Sequence, residues 1–292
     1  MTVTCSAGRV ALGEPVAGSA PFARLWVLVE QPGPWGRDAL RESHLDAAVG
    51  ESLALLGSER PVRVGLIRSV GAHADVVHGS RSVLVARVDR SASWLAARRV
   101  DDVAGLADAL RVDELLTAEV APAWLPGAPL PTPSRALLVC TNAKRDQCCA
   151  VLGRPMAAAF AASAQSGALG GVAVWETSHT SGHRFAPTYV SLPDGYLFGG
   201  PDAASASVDA CRGRSSLEPA AQVAELAVLR SLGEPTPRPL NVRAPGDGVF
   251  EVHDGGDTFT VAVRTTVGRD RPESCGKADV PSSWYTATVT QG

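Results

Sequence analysis

Lysine and aromatic residues are scarce in this sequence of 292 residues. Lysine occurs only as Lys144 and Lys277, and phenylalanine, tryptophan and tyrosine together make up 5% of the chain. The 27 lysines and arginines face 30 aspartates and glutamates, which gives a formal net charge of −3. A nucleic-acid-binding surface needs an excess of basic residues. We therefore expect no nucleic-acid partner.

The sequence has no long apolar run, and its first residues do not have the pattern of a secretory leader. No stretch reaches the roughly 18 uncharged apolar residues that a transmembrane helix requires. The start, Met1–Arg9, lacks the basic and then apolar order of a signal peptide. We expect a cytoplasmic protein without a membrane partner. In that compartment cysteines are metal ligands or thiols more often than disulfides.

The six cysteines include no Cys-x-x-Cys pair, the motif of glutaredoxin-type thiol oxidoreductases. Cys5, Cys211 and Cys275 each stand alone in the sequence, and we interpret them as structural or incidental. Cys275 is followed by a glycine, which could allow close approach to a cofactor.

Apolar runs alternate with helical patterns along the chain, and this alternation predicts an α/β fold. The predicted strands are Phe22–Glu30, Val62–Ile67, Ser82–Val88, Arg135–Val139, Gly171–Glu176, Thr188–Leu192, Val249–His253, Thr258–Val267 and Trp284–Val289. An apolar run completed by Phe198 could pair with Thr188–Leu192. The predicted helices are Arg37–Leu56, Ala104–Val120, Cys148–Ser166 and Glu218–Leu232.

Composition divides the chain into three predicted domains. The proline-rich stretch Pro122–Pro133 is a predicted linker between an α/β unit over residues 1–125 and a second unit over 134–215. Residues 216–292 form a small C-terminal extension of a helix and a β-hairpin. Residues 25–38 and 136–146 both have the order strand, loop, Arg-Asp, and this likeness suggests a duplicated fold whose first copy lacks the metal residues.

Two groups of ligand-type side chains follow two predicted strands of the second unit. Cys140 ends the first strand and precedes Cys148 and Cys149, whereas His179 and His183 follow the second strand. If both strands are parallel members of one sheet, their carboxyl ends open on the same edge, where ligands collect in α/β folds. Thiolate and imidazole are ligands of zinc and of iron–sulfur clusters.

Spacing alone leaves the second thiol and the metal open. Cys148 and Cys149 are adjacent, so only one of them can easily share a site with Cys140. Two cysteines and two histidines satisfy tetrahedral zinc, and they equally satisfy a [2Fe–2S] cluster with two thiolates on one iron and two imidazoles on the other.

Three motifs resemble those of the sucrase/ferredoxin-like family and occur in its order. They are Glu30-Gln-Pro-Gly-Pro-Trp-Gly-Arg-Asp-Ala-Leu40, Leu137-Leu-Val-Cys-Thr-Asn-Ala-Lys-Arg-Asp-Gln-Cys-Cys149 and Ser178-His-Thr-Ser-Gly-His-Arg-Phe-Ala186. The resemblance covers roughly residues 1 to 200 and implies a thioredoxin-like ferredoxin fold around the second unit, with the first as a degenerate copy. It also implies a [2Fe–2S] cluster held by Cys140, Cys149, His179 and His183.

The implied function is electron transfer or redox sensing with an as yet unknown redox protein partner. Lys144 and Arg145, in the loop after Cys140, could stabilise the reduced cluster. A structural zinc protein and a thiol oxidoreductase that uses Cys148 or Cys149 remain the alternatives. The family name mentions sucrase, but the sequence shows no identifiable carboxylate pair of the glycosidase kind.

Overall fold

A computed structural model describes residues 4–58, 61–73 and 79–291 of the chain. The fold divides into two compact units. The central unit comprises Ala23–Thr180 and Ser191–Asp194, and the terminal unit comprises Met1–Phe22, Ser181–Val190 and Gly195–Gly292. Each unit combines helices with β-strands, which confirms the predicted α/β class.

Six α-helices and fourteen strands occur in the described ranges. The helices are α1 Cys5–Ala11, α2 Ala47–Leu56, α3 Leu106–Ala109, α4 Val112–Thr117, α5 Gln147–Gln165 and α6 Pro219–Ser231. The strands are β1 Leu25–Glu30, β2 Val62–Ser69, β3 Arg81–Arg87, β4 Trp94–Val100, β5 Ala128–Pro129, β6 Arg135–Cys140, β7 Val172–Thr177, β8 Thr188–Leu192, β9 Tyr196–Gly199, β10 Cys211–Arg214, β11 Asn241–Gly246, β12 Val249–Asp254, β13 Asp257–Pro272 and β14 Asp279–Gln291.

The strands of the central unit are hydrogen-bonded in the order β6-β7-β2-β1-β3-β4-β5. Strands β1 and β2 are parallel, as are β6 and β7. Strand β2 pairs with β7 in the antiparallel sense, and β3 and β4 continue the sheet as antiparallel strands. The unit therefore contains two β-α-β segments, β1-α2-β2 and β6-α5-β7, that meet along β2 and β7.

The first β-α-β segment buries one apolar face of its strands. Leu25, Val27 and Val29 alternate along β1 and join a core with Leu53 of α2 and with residues of β3 and β4. Helix α2 begins after Asp46, whose carboxylate accepts hydrogen bonds from the backbone N–H groups of its first turn.

The second segment brings α5 close to the end of β6. Helix α5 also begins after an aspartate, because Asp146 accepts the backbone N–H of Cys148 over 2.8 Å. Gly153 faces the strand, and a Cβ atom at this position would overlap the carbonyl oxygen of Cys140. The missing side chain thus allows the helix to approach the residue that ends β6.

The terminal unit has a four-stranded antiparallel sheet in the order β11-β12-β13-β14. Helix α6 packs on this sheet and on β10, which pairs with β9. A buried ion pair joins α6 to β10, with Arg214 Nη2 2.6 Å from Glu225 Oε1. The hairpin predicted around Asp254–Asp257 is confirmed, since these two residues pair where β12 turns into β13.

Two predicted helices are partly wrong. The helix predicted over Arg37–Leu56 begins only at Ala47, and the one predicted over Ala104–Val120 is broken into α3 and α4. Leu110 has an extended backbone (ψ 100°) at the break. Strands β4, β10 and β11 were not predicted, and the proline-rich stretch predicted as a linker contains β5, which pairs with β4.

Candidate metal centre

Two loops of the central unit carry predicted ligands. They follow neighbouring parallel strands and begin at the same edge of the sheet. Cys140, the last residue of β6, pairs with Thr177, the last residue of β7. The backbone N–H of Thr141 donates to the carbonyl oxygen of Thr177 over 3.2 Å, so the two chains remain together one residue further. The prediction that both strands are parallel members of one sheet is confirmed.

Cys140, Cys149 and His179 lie together at this edge. The side chain of Cys140 is hydrogen-bonded to the side chains of both Cys149 and His179, and it accepts the backbone N–H of Thr180. Both cysteines are about 1% exposed, and the imidazole is half-buried. Two of the other three predicted ligands, Cys149 and His179, therefore contact Cys140 within one unit.

These contacts favour a thiolate at Cys140. The hydrogen bond with Cys149 is the largest cause that lowers the pKa of Cys140, and His179 and the Thr180 N–H add to it against the opposing effect of burial. Burial is also the main cause that lowers the pKa of His179, which keeps this imidazole neutral at physiological pH. A thiolate beside a neutral imidazole is the ligand state that metals require.

Two arginines place positive charge near the cysteine and the histidine. Arg63 of β2 interacts electrostatically with Cys140, and the charges of Arg63 and Arg145 both lower the pKa of His179. Of the two basic residues predicted to stabilise a reduced cluster, Arg145 is half-buried and Lys144 is exposed. Arg63 was missed; its only sequence signal is a basic residue between the valines of a buried strand.

The loop from Cys140 to α5 is held in place by side-chain hydrogen bonds. Asn142 accepts the backbone N–H of Lys144 over 3.1 Å and donates from Nδ2 to the carbonyl oxygen of Gly36 over 2.9 Å. Gly36 belongs to the Pro-Gly-Pro-Trp-Gly loop after β1, so the corresponding loops of the two β-α-β segments are joined. Asp146 then turns the chain into α5, which carries Cys149.

A buried ion pair supports the same edge from the other face of the strands. Arg68 donates to Glu176 Oε2 through Nε (3.0 Å) and Nη2 (2.8 Å), and Thr141 Oγ1 donates to the same oxygen over 2.7 Å. His73 Nε2 lies 3.0 Å from both carboxylate oxygens. Because Thr141 follows Cys140 directly, this network fixes the chain immediately after the first ligand.

The fourth predicted ligand, His183, belongs to the terminal unit and begins a short 3-10 helix, His183–Phe185. The preceding residues Ser181 (φ 61°) and Gly182 (φ 67°) both have left-handed backbone conformations. Residues 179–182 have no helical structure, and only His183 lies in the short 3-10 helix.

The remaining cysteines lie in different environments. Cys211 is fully buried, and burial raises its pKa. In the central unit, the Cys148 thiol and the Asp146 carboxylate are close enough to share one metal ion. In the terminal unit, Cys5 and Cys275, which stand alone in the sequence, contact each other, and their thiols are also close enough to share one metal ion.

Comparison with known proteins agrees with the three motifs. The sequence profile of the sucrase/ferredoxin-like family matches residues 16–208, about two thirds of the chain. The chain belongs to the sucrase/ferredoxin-like family. No curated protein and no solved structure matches it significantly.

The matched range of this sucrase/ferredoxin-like protein includes Cys140, Cys149, His179 and His183. Two thiols and a neutral imidazole in contact form a donor set that fits zinc or an iron–sulfur centre. Within residues 4–58, 61–73 and 79–291, no helix has both the length and the apolar content to cross a membrane.

Proposed function

We propose that Cys140, Cys149, His179 and His183 hold a [2Fe–2S] cluster and that the protein transfers electrons or senses redox state. The observation that carries this proposal is the contact of the buried Cys140 side chain with both Cys149 and His179. His183 enters as the fourth ligand on the strength of the His-x3-His motif. When bound, such a cluster accepts and releases one electron at a time.

The protein's own groups suit this chemistry. Neutral imidazole in place of two thiolates leaves less negative charge on the site, which favours a higher reduction potential. Arg63 and Arg145 add positive charge close to Cys140 and His179 and so favour the state with the additional electron. Burial of both cysteines limits the access of water and oxidants to the sulfur atoms.

We propose a thioredoxin-like ferredoxin fold for this part of the chain, with β1-α2-β2 and β6-α5-β7 as its two copies. In each copy the two strands are parallel, and the helix between them begins after an aspartate, Asp46 or Asp146. The loop of the first copy holds Trp35 and no cysteine, so the second copy alone would carry the thiols. The three-domain division, with boundaries near 125, 134 and 215, stays a prediction.

A second candidate function is thiol oxidoreduction. It is favoured by the hydrogen bond between Cys140 and Cys149 and by the lowered pKa of Cys140, because the thiolate is the reactive form of cysteine. This function needs no histidine ligand. A structural zinc site would use all four residues and be redox-silent.

Anaerobic purification of the full chain distinguishes these functions. We expect a brown protein with a reducible visible spectrum and with iron and acid-labile sulfide in equal amounts. Stoichiometric zinc without iron would contradict the proposal, and a colourless protein that reduces disulfides through Cys140 would favour the second function. Reconstitution with iron and sulfide serves as the control for cluster loss during purification.

The substitution His183→Cys tests the fourth ligand. A thiolate adds negative charge in place of a neutral imidazole, so the variant should keep a cluster with a lower reduction potential. An unchanged potential would exclude His183 as a ligand while leaving the other three assignments intact. We further propose that the electron partner is another redox protein. Electron transfer from reduced ferredoxin-type donors to the purified protein measures this interaction.

A further inference from the structure

Two cysteines that the proposed cluster does not use lie against each other in the terminal unit. Cys5 is the first residue of α1 and is fully buried, whereas Cys275 lies in the turn between β13 and β14 and is half-buried. The Cys275 thiol donates a hydrogen bond to Cys5 Sγ over 3.5 Å. The backbone N–H of Cys5 donates in turn to Cys275 Sγ over 3.4 Å.

The segments that carry these thiols are anchored to each other. Glu14, shortly after α1, accepts two hydrogen bonds from Arg271 of β13, with distances of 2.7 and 2.9 Å. Both side chains are buried, and Arg184 adds a third bond to the same carboxylate over 2.9 Å. A buried ion pair of this geometry strongly resists separation of its partners. The two sulfur atoms are thus held in contact without a covalent bond.

We propose that Cys5 and Cys275 form a thiol–disulfide site that is oxidised by a small disulfide of the glutathione type. A disulfide bond is about 2.05 Å long, so the sulfur atoms need to approach by only about 1.5 Å from their present contact. Cys275, at the tip of a turn followed by Gly276 (φ 76°), is on the more adjustable of the two segments.

Thiol–disulfide exchange at this site takes two steps. The Cys275 thiolate attacks one sulfur of glutathione disulfide, the glutathione S–S bond breaks, and one glutathione thiolate leaves. Cys5 loses its proton to solvent and attacks the Cys275 sulfur of the mixed disulfide, which releases the second glutathione. The protein loses two electrons and two protons, and glutathione disulfide gains both.

Exposure decides which cysteine reacts first. Cys275 is half-buried and can meet a glutathione molecule, whereas Cys5 has no exposed surface. The N–H of Cys5 points at the Cys275 sulfur and stabilises negative charge there. Cys275 is therefore the attacking thiol, and Cys5 is the resolving thiol.

A disulfide between Cys5 and Cys275 needs no group beyond the two thiols. It would connect residues that are 270 positions apart and so constrain the unfolded chain strongly.

The test is peptide mapping of the full-length protein after incubation with oxidised glutathione under non-reducing conditions. We expect Cys5 and Cys275 to lose alkylation together and a Cys5–Cys275 cross-linked peptide to appear. The oxidised protein should have a higher urea midpoint than the reduced protein. Cys211→Ser is the matched control, because Cys211 is buried in the same unit and should leave the cross-link unchanged.

Single variants separate the attacking thiol, Cys275, from the resolving thiol, Cys5. Cys5→Ser should trap glutathione on Cys275, and Cys275→Ser should leave Cys5 unmodified. Three results would overturn the proposal: both thiols remain alkylatable in the wild type, Cys275 keeps glutathione or pairs with another cysteine, or equimolar zinc protects both thiols from oxidation. Mapping of the wild-type protein gives an answer even if a variant fails to fold.

Discussion

The guanidinium of Arg212 donates a hydrogen bond over 3.0 Å to the carbonyl oxygen of Ser181, in the loop that leads to His183. Arg212 is fully buried and also donates from Nε to Ser19 Oγ over 3.0 Å. Its position leaves no room for a side chain at Gly182, where a Cβ atom would overlap Nη2. One arginine from β10 therefore fixes the left-handed turn before the predicted histidine ligand.

Replacement of Arg212 by methionine should destabilise the protein. The change removes the guanidinium that donates to the carbonyl oxygen of Ser181 and to Ser19 Oγ, and each such loss costs about 1–3 kcal/mol. Urea denaturation should show a free energy of unfolding lower by about 2–4 kcal/mol. The exposed Arg243→Met is the matched control and should change stability by less than about 0.5 kcal/mol. If Arg212→Met lowered the free energy of unfolding no more than Arg243→Met, the Ser181 contact would contribute little to stability.

The neighbouring cysteines of α5 should differ in their effect on the cluster. Cys149→Ser removes a thiol that contacts Cys140, so the purified variant should lose most of its iron and visible absorbance. Cys148→Ser is the matched control, and its iron content should stay near that of the wild type. Loss of iron in the Cys148 variant alone would reverse the assignment of the second thiolate.

Arg145 should raise the reduction potential of the proposed cluster. Its charge acts on His179, so Arg145→Gln removes a group that favours an additional electron. We expect a lower midpoint potential in a spectroscopic titration. Lys144→Gln removes the same charge from an exposed position one residue away and should have a smaller effect, because solvent screens it. Equal shifts in the two variants would argue for a general charge effect.

The Arg68–Glu176 pair should make stability sensitive to acid. Burial opposes ionisation of Glu176, but hydrogen bonds from Thr141, the Gly71 N–H and Arg68 outweigh it, so its pKa is lowered. A carboxyl whose folded pKa is below its unfolded value stabilises the protein above the unfolded pKa, and this stabilisation is lost as the pH falls through the folded pKa.

Glu176→Gln measures this contribution. At neutral pH the variant leaves Arg68 buried and unpaired, which should lower the free energy of unfolding by about 3–5 kcal/mol. The difference from the wild type should shrink below about pH 4, where the unfolded carboxyl is protonated. The exposed Glu119→Gln serves as the control and should follow the wild type across the range. A pH-independent difference would contradict an ionised Glu176.

Gly153→Ala should destabilise the protein although alanine favours helices. In an exposed helix the change stabilises by about 1 kcal/mol. Here the new Cβ would overlap the carbonyl oxygen of Cys140, and overpacking of this kind costs about 1–3 kcal/mol. Thermal unfolding and iron content should both fall, because α5 and Cys149 must move away from β6. A stabilised variant with full iron content would show that the helix has room to shift.

Much of the central site could be predicted from local patterns. Strand β6 ends at Cys140 and β7 ends two residues before His179, close to the predicted bounds, because apolar runs of this length mark buried strands. Asp146, which precedes α5, is of a residue type that favours helix N-termini, and it accepts the N–H of Cys148. The spacing over α3 and α4 predicted one helix because Leu106, Leu110, Val112 and Leu115 all join one apolar core across the break between them.

The sequence by itself determined which segments become β6, α5 and β7, because periodicity and capping are encoded within a few neighbouring residues. Tertiary structure decided which distant groups meet. Cys5 contacts Cys275 across 270 positions, and Arg63 acts on Cys140 from another strand. Such contacts depend on strand order and register, which arise from burial of the whole apolar surface rather than from any local pattern.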